Sequence, residues 1–304
     1  MSIKDCMSKK TRRSLYRVLD ILPDKTVVKL QYYASLGRFP NLKDPKRFTE
    51  KLQWYKLNYR TPLMTQCADK YKIRFYLKDK GYGDFSPTLY QVCESFEEIE
   101  FDKLPDAFAI KCNNSSGTNV FITDKSKMDM NAVAEEVRSW KKVKTISAGR
   151  EWAYENIEQK IVVEELLVSH DGTQKDSLND YKFLCFNGEP KLLWVDVDRA
   201  TNHKRAFLDM DWNAIDVTSN RTKADDVIPK PYGFERMVEV ARDISKDFPF
   251  VRVDFYSVNQ KIYVGELTFY PWSGCVSFTP DSYDFELGSY FTLPPVTKYK
   301  KPKK

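Results

Sequence analysis

The chain has 304 residues, with 49 Lys+Arg against 43 Asp+Glu and a formal net charge of +6. Hydrophobic residues make up 42% and aromatics 14%, which excludes a disordered body, and the length suits two domains or two lobes of one unit. No apolar run approaches the roughly 18 residues of a membrane-spanning helix, and two histidines leave His-base or multi-His metal chemistry poorly supplied.

Residues 1–30 carry eight Lys/Arg against three Asp, and within 11–22 Leu15, Val18, Leu19 and Leu22 recur at helical spacing beside Arg12, Arg13 and Arg17. This predicts a basic amphipathic helix. No apolar segment follows the N-terminal charges, so an intracellular, cytoplasmic protein is expected rather than a secreted one. Phe48, Leu52, Tyr55 and Tyr59 predict a helix over 47–59, and Tyr71, Phe75 and Leu77 another over 67–80, so residues 1–85 read as a helical N-terminal region. After Gly81-Tyr82-Gly83 the texture turns to short β-rich runs. Strands are expected at 107–112, 120–123, 161–168, 181–186, 191–197, 206–208, 250–256 and 261–267, with helices at 132–142 and 234–247. Asn187-Gly188 is a hairpin signal, and Ser257-Val258-Asn259-Gln260 joins the last two strands.

The pattern predicts an α+β fold of mainly antiparallel sheets with helices on one side, not a doubly wound sheet. Residues 298–304 hold five lysines, so residues 31–297 net to −4 and a nucleic-acid surface is not expected. Six cysteines without a CxxC pair read as reduced thiols rather than a disulfide framework or a zinc site.

Four segments can carry chemistry. In Val251-Arg252-Val253-Asp254-Phe255 and Val264-Gly265-Glu266-Leu267-Thr268, strand alternation puts Arg252 and Asp254 on one face and the hairpin brings Glu266 beside them. That pair of carboxylates reads either as a site for a hard cation such as Mg²⁺ or as a salt-bridge network on a solvent face. Phe108-Ala109-Ile110-Lys111 runs into the polar loop Asn113, Asn114, Ser115, Ser116, Gly117, Thr118, Asn119, which is either a phosphate cradle or a plain turn, and which lacks the Walker pattern. Ile161 to Leu167 is an apolar strand holding Glu164 and Glu165, either the edge of an adenine slot or a strand end. Arg199, His203, Lys204 and Arg205 concentrate positive charge that could grip a phosphate or an acidic substrate, or be a solvated turn.

Taken in order, these segments resemble the ATP-grasp superfamily and closely its TupA-like branch, linked to bacterial surface-polysaccharide assembly. The resemblance spans about residues 36–293 and rests on Lys51-Leu52-Gln53-Trp54-Tyr55-Lys56, Ala68-Asp69-Lys70-Tyr71, Asp180-Tyr181-Lys182-Phe183, Phe186-Asn187-Gly188-Glu189-Pro190, Thr201-Asn202-His203-Lys204-Arg205, and the stretches 248–256 and 265–271. It implies a small lobe with the phosphate loop over 86–160, a large lobe with adenine and Mg²⁺ sites over 161–295, and a basic tail over 296–304. It also implies ATP held by Lys70, Lys111 and Asn113 to Asn119, adenine lined by Glu164, Glu165 and Leu167, and ribose reached by Asp180. Mg²⁺ would rest on Asp254 and Glu266, with Thr268 standing where many relatives carry Asn. Arg252 would steady the acyl phosphate or the transferring phosphoryl group, with Lys182 as a further phosphate contact.

The expected reaction is ligation of an amino acid or amine to a uronic acid of a surface glycan through an acyl phosphate, with the basic ends resting on anionic membrane. Two competing readings are a capsule glycosyltransferase using Asp196-Val197-Asp198 and a non-catalytic scaffold.

Overall fold

The computed structural model describes residues 21–140, 149–169, 178–197, 203–224 and 228–297. Most of the basic helix expected over 11–22, the lysine tail, Asp198 and Arg199 lie outside the described residues. Among those described are seven α-helices and eleven strands, and the strands form two mainly antiparallel sheets, an α+β architecture.

Among the described residues four helices come first: α1 (Asp24–Leu36), α2 (Phe48–Asn58), α3 (Pro62–Ala68) and α4 (Ile73–Asp79). The single helix expected over 67–80 is broken in two. Asp69 Oδ1 accepts from the backbone N–H groups of Tyr71 and Lys72 at 2.9 and 3.3 Å, an aspartate turn that competes with continued helix. Thr61 caps α3, with proline at its first position.

The small sheet has the order β1 (Leu89–Cys93), β4 (Ile161–Glu165), β2 (Phe108–Cys112), β3 (Asn119–Ile122). Strand alternation sends Phe108, Ile110, Cys112 and Val163 to one face, where they pack on Val133, Val137 and Trp140 along α5 (Met130–Ser139) and just beyond it. Ala109, Lys111, Val162 and Glu164 take the other face. The sheets change over after Glu165, so Ile161–Glu165, grouped with the large lobe in the sequence, pairs in the small sheet.

The large sheet runs β11 (Lys261–Thr268), β10 (Phe250–Val258), β5 (Asp180–Phe186), β6 (Glu189–Val197), β7 (Lys204–Asp209), β8 (Ala214–Ile215), with β9 (Thr222–Lys223) parallel to β7. β5 is buried throughout and β10 nearly so, as central strands are. Helix α6 (Phe234–Ser245) lays Phe234, Met237, Val240, Ala241 and Ile244 on one face, with Phe234 5.8 Å from Phe183. On the opposite face, α2 and α7 (Ser282–Tyr290) cover one end, where Phe48 meets Phe186 and Phe250 at 5.8 and 5.1 Å. The rest of that face carries charge.

The β5–β6 turn is Asn187-Gly188, both left-handed at φ 52° and 83°. The β10–β11 turn is tighter than the four residues expected: Val258 pairs with Lys261, leaving only Asn259-Gln260 at φ 50° and 58°.

Candidate active site

Register builds the charged face. Lys182 on β5 lies opposite Asp254 on β10 and Trp194 on β6, Asp254 lies opposite Glu266 on β11, and Arg252 lies opposite Thr268. The ladder then slips at Asp254/Phe255, leaving Gly265 as the extra residue of a bulge. A Cβ on Gly265 would stand 2.7 Å from the Tyr256 ring, so glycine is what lets the bulge close beside that ring.

The side chains form one network. Lys182 Nζ lies 2.9 Å from Asp254 Oδ2 and also binds Asp180. Arg252 forks onto Asp254 at 2.6 and 2.5 Å and reaches Glu266 Oε1 at 2.8 Å. Burial pushes the Asp254 carboxyl up, to about 7, against the opposing pull of Arg252 and Lys182. Glu266, whose side chain is 39% exposed, is held at about 2 because Arg252, Lys70 and Lys182 outweigh its desolvation. Charge gathered this densely on one sheet face marks a functional-site candidate.

A second cluster adjoins it. Asp196 on β6 accepts from Arg205 Nε at 2.7 Å, with His203 Nε2 3.0 Å away, and it is held at about 2 because these partners overcome its desolvation. Arg205 also donates to Ser219 and Asn220 at 3.1 Å, so it is a buried brace rather than a solvated turn. Lys204 precedes it, half-buried, at the start of β7. The literal Asp-Val-Asp pattern is thereby committed at its first aspartate to Arg205.

On the small-lobe side, Lys70 Nζ donates to the Ser115 carbonyl at 2.6 Å, and its own N–H to the Asn113 carbonyl at 3.0 Å. Asn113 is buried and fully used: Nδ2 donates to Asp69 and to the Glu158 carbonyl, and Oδ1 accepts from Lys160 N–H. Asn113 and Asn114 thus anchor the loop. Ser115 Oγ contacts Thr118 Oγ1, while Ser116, Gly117 at φ 73° and Asn119 are the exposed positions facing outward. Glu164 is 5% exposed and ion-paired by Lys111 at 2.5 Å and by Arg74 of α4. Glu165 turns instead to Thr88, accepting from its N–H and hydroxyl at 3.0 and 2.9 Å, and Leu167 is half-buried in the linker after β4.

The donors at Asp254, Glu266 and Thr268, whose Oγ1 lies 3.3 Å from Glu266 Oε1, are all oxygens and suit a hard divalent cation. Among the described residues no three carboxylate, thiol or imidazole side chains gather into a closed cage. Mg²⁺ is an ion that takes few protein ligands and completes its shell with phosphate and water.

A sequence model described as TupA-like ATP-grasp matches residues 50–292. The chain belongs to the TupA-like ATP-grasp family. No curated protein matches it. Among solved structures it is similar to D-alanine–D-alanine ligase from Bacillus anthracis complexed with ATP, at 17% identity and TM-score 0.42, covering 67% of this chain and 55% of that one. It is also similar to the Helicobacter pylori D-alanine–D-alanine ligase, at 13% and 0.39, covering 76% and 60%. A third is the ATP-grasp ligase PsnB with a phosphomimetic variant of its minimal precursor, Mg and ADP, at 12% and 0.40, covering 80% and 66%. The chain thus spans 55–66% of the length of these three.

Three residues of this TupA-like ATP-grasp protein escaped functional notice in the sequence: Arg74, Gln53 and Lys56. Arg74 lies in the first turn of α4 and ion-pairs Glu164 from there, a contact that only the fold brings about. Gln53 and Lys56 lie inside the quoted Lys51-to-Lys56 motif, yet nothing in that string says what they hold.

Proposed function

We propose that the protein is an ATP- and Mg²⁺-dependent carboxylate–amine ligase that forms an amide through an acyl phosphate. Its substrates are a uronic acid of a capsular or cell-surface polysaccharide and an amino acid or amine. The observation that carries this reading is the network of Lys182, Asp254, Arg252 and Glu266 on the adjacent strands β5, β10 and β11, together with a loop tethered by Lys70. Family membership supports the ATP chemistry.

Asp254, Glu266 and Thr268 would hold Mg²⁺, which when bound neutralises charge between the β- and γ-phosphates. Lys70 and Lys111 supply charge at the phosphates, and the exposed positions Ser116, Gly117 and Asn119 close over them with Thr118. Glu164, Glu165 and Leu167 line the adenine end, and Asp180 approaches the ribose. Arg252 stabilises negative charge on the transferring phosphoryl group, and Lys182 contacts its oxygens. Lys204 and Arg199 draw the acidic acceptor toward them, while Arg205 braces Asp196 behind them. No histidine nucleophile is needed, which suits a chain with two histidines.

On this reading the enzyme works in the cytoplasm, with its basic ends against anionic lipid at the inner face of the membrane. No helix among the described residues is long and apolar enough to cross one. Purified protein given ATP, Mg²⁺, a uronic acid and a panel of amines is expected to release ADP and phosphate in step with amide product. A protein that binds no ATP overturns the reading.

A further inference from the structure

The segment that leaves β11 makes a backbone turn that ordinary residues avoid. Trp272 and Ser273 are both left-handed, at φ 51° and 55°, and Gly274 follows at 64°. Each non-glycine residue held there costs on the order of 1 kcal/mol or more, and such strain persists only when surrounding contacts over-determine it. Here α2 does so. Gln53 Nε2 donates to the carbonyls of Ser273 and Gly274 at 2.9 and 2.8 Å, and Lys56 Nζ donates to the carbonyl and Oγ of Ser273 at 3.0 Å each. Lys56 is 1% exposed. A buried ammonium is a costly space-filler, and what it adds over an apolar side chain is this grip on two oxygens.

The turn stacks the Trp272 ring on Trp194, with centroids 4.3 Å apart and 21° between planes. Trp194 is fully buried, lies opposite Lys182 in the ladder, and has the Arg252 guanidinium 5.3 Å from its ring. Arg205 stands 5.2 Å from both indoles. An unbroken line of contacts therefore runs from Lys56 through Ser273, Trp272 and Trp194 to the arginine that forks onto Asp254.

We propose that Lys56 and Gln53 are positioning residues for phosphoryl transfer: they hold the Trp272–Gly274 turn, and the stacked indoles fix Arg252. This rests on reading the charged face as the phosphoryl-transfer site, and the test separates the two. Two indoles this close couple as an exciton pair in circular dichroism, a signal that requires no substrate. Lys56→Met and Trp272→Phe are each expected to abolish the couplet and to lower kcat by about 10- to 100-fold, with KM for ATP within about twofold of wild type. The double variant is expected to be no worse than the poorer single one. Gln53→Leu, which removes the other donor to the same carbonyl, is expected to shift couplet and kcat in the same direction and serves if Lys56→Met does not fold. A couplet intact in Lys56→Met or Gln53→Leu, or losses that multiply in the double variant, overturns the proposal. Wild-type protein with a couplet but no ATP binding instead overturns the reading of the site.

Discussion

Lys182 and Asp254 face each other across adjacent central strands, Nζ to Oδ2 2.9 Å, with side chains 8% and 2% exposed. Neither is at home there without the other. Asp254→Asn leaves Lys182 and Arg252 buried beside a neutral amide, and is expected to cost about 3 kcal/mol of stability. Urea unfolding measures that loss, and ATP-dependent ADP release is expected to fall at least about 100-fold.

Lys70 is half-buried, and its ammonium donates to the Ser115 carbonyl of the 113–119 loop. Lys70→Met is therefore expected to weaken ATP binding by about 10-fold or more while leaving the unfolding midpoint nearly unchanged. Calorimetric titration of ATP beside a thermal melt checks both halves.

Against the upward push of burial, Arg205 holds the Asp196 carboxyl at about 2, below the ordinary 3.8, with its side chain 3% exposed. A carboxyl depressed by folding stabilises above its unfolded value and loses that contribution as pH falls through the folded one. Wild type is expected to exceed Asp196→Asn by about 2 kcal/mol at pH 5, with the gap closing toward pH 2. Urea midpoints across that range read it directly.

Gly288 sits in α7 where the chain entering α2 passes against it: a Cβ there would stand 2.0 Å from the Lys46 carbonyl and 2.9 Å from Phe48 N. Gly288→Ala is expected to destabilise by about 3 kcal/mol, since backbone must move. Gly81→Ala, strained at φ 83° but open around its Cβ, is expected to cost about 1 kcal/mol. Paired melts of the two variants test the ranking.

The central strands were legible because burial on both sides writes an unbroken apolar string: 181–186 and 250–256 were recovered within two residues as β5 and β10. Residues 161–168 were read too long, because Leu166 to Val168 continue the apolar run after pairing stops at Glu165. β1 escaped because Leu89-Tyr90-Gln91-Val92-Cys93 is a half-exposed edge strand with little alternation. Helices α1 and α7 bury too narrow a stripe to show a period. Of the site, strand parity gave Arg252, Asp254 and Glu266 a shared face, and the register bears this out. Parity could not show that Lys182 joins them, since β5 and β10 are some 70 residues apart in sequence and only pairing brings them together.

The large lobe is not contiguous in the chain, and this bears on how it is made. Thr49 bonds Asp284 across 235 residues, and Lys51 reaches the Gly288 carbonyl across 237. During synthesis, the helix bearing Phe48, Leu52 and Tyr55 emerges with its apolar side bare, and waits for the strands and helix that will cover it. At about 5–20 residues per second the wait is roughly 10–50 s. The nascent chain thus carries an uncovered apolar helix over most of its translation, and the large sheet is completed only when residues near its end have emerged.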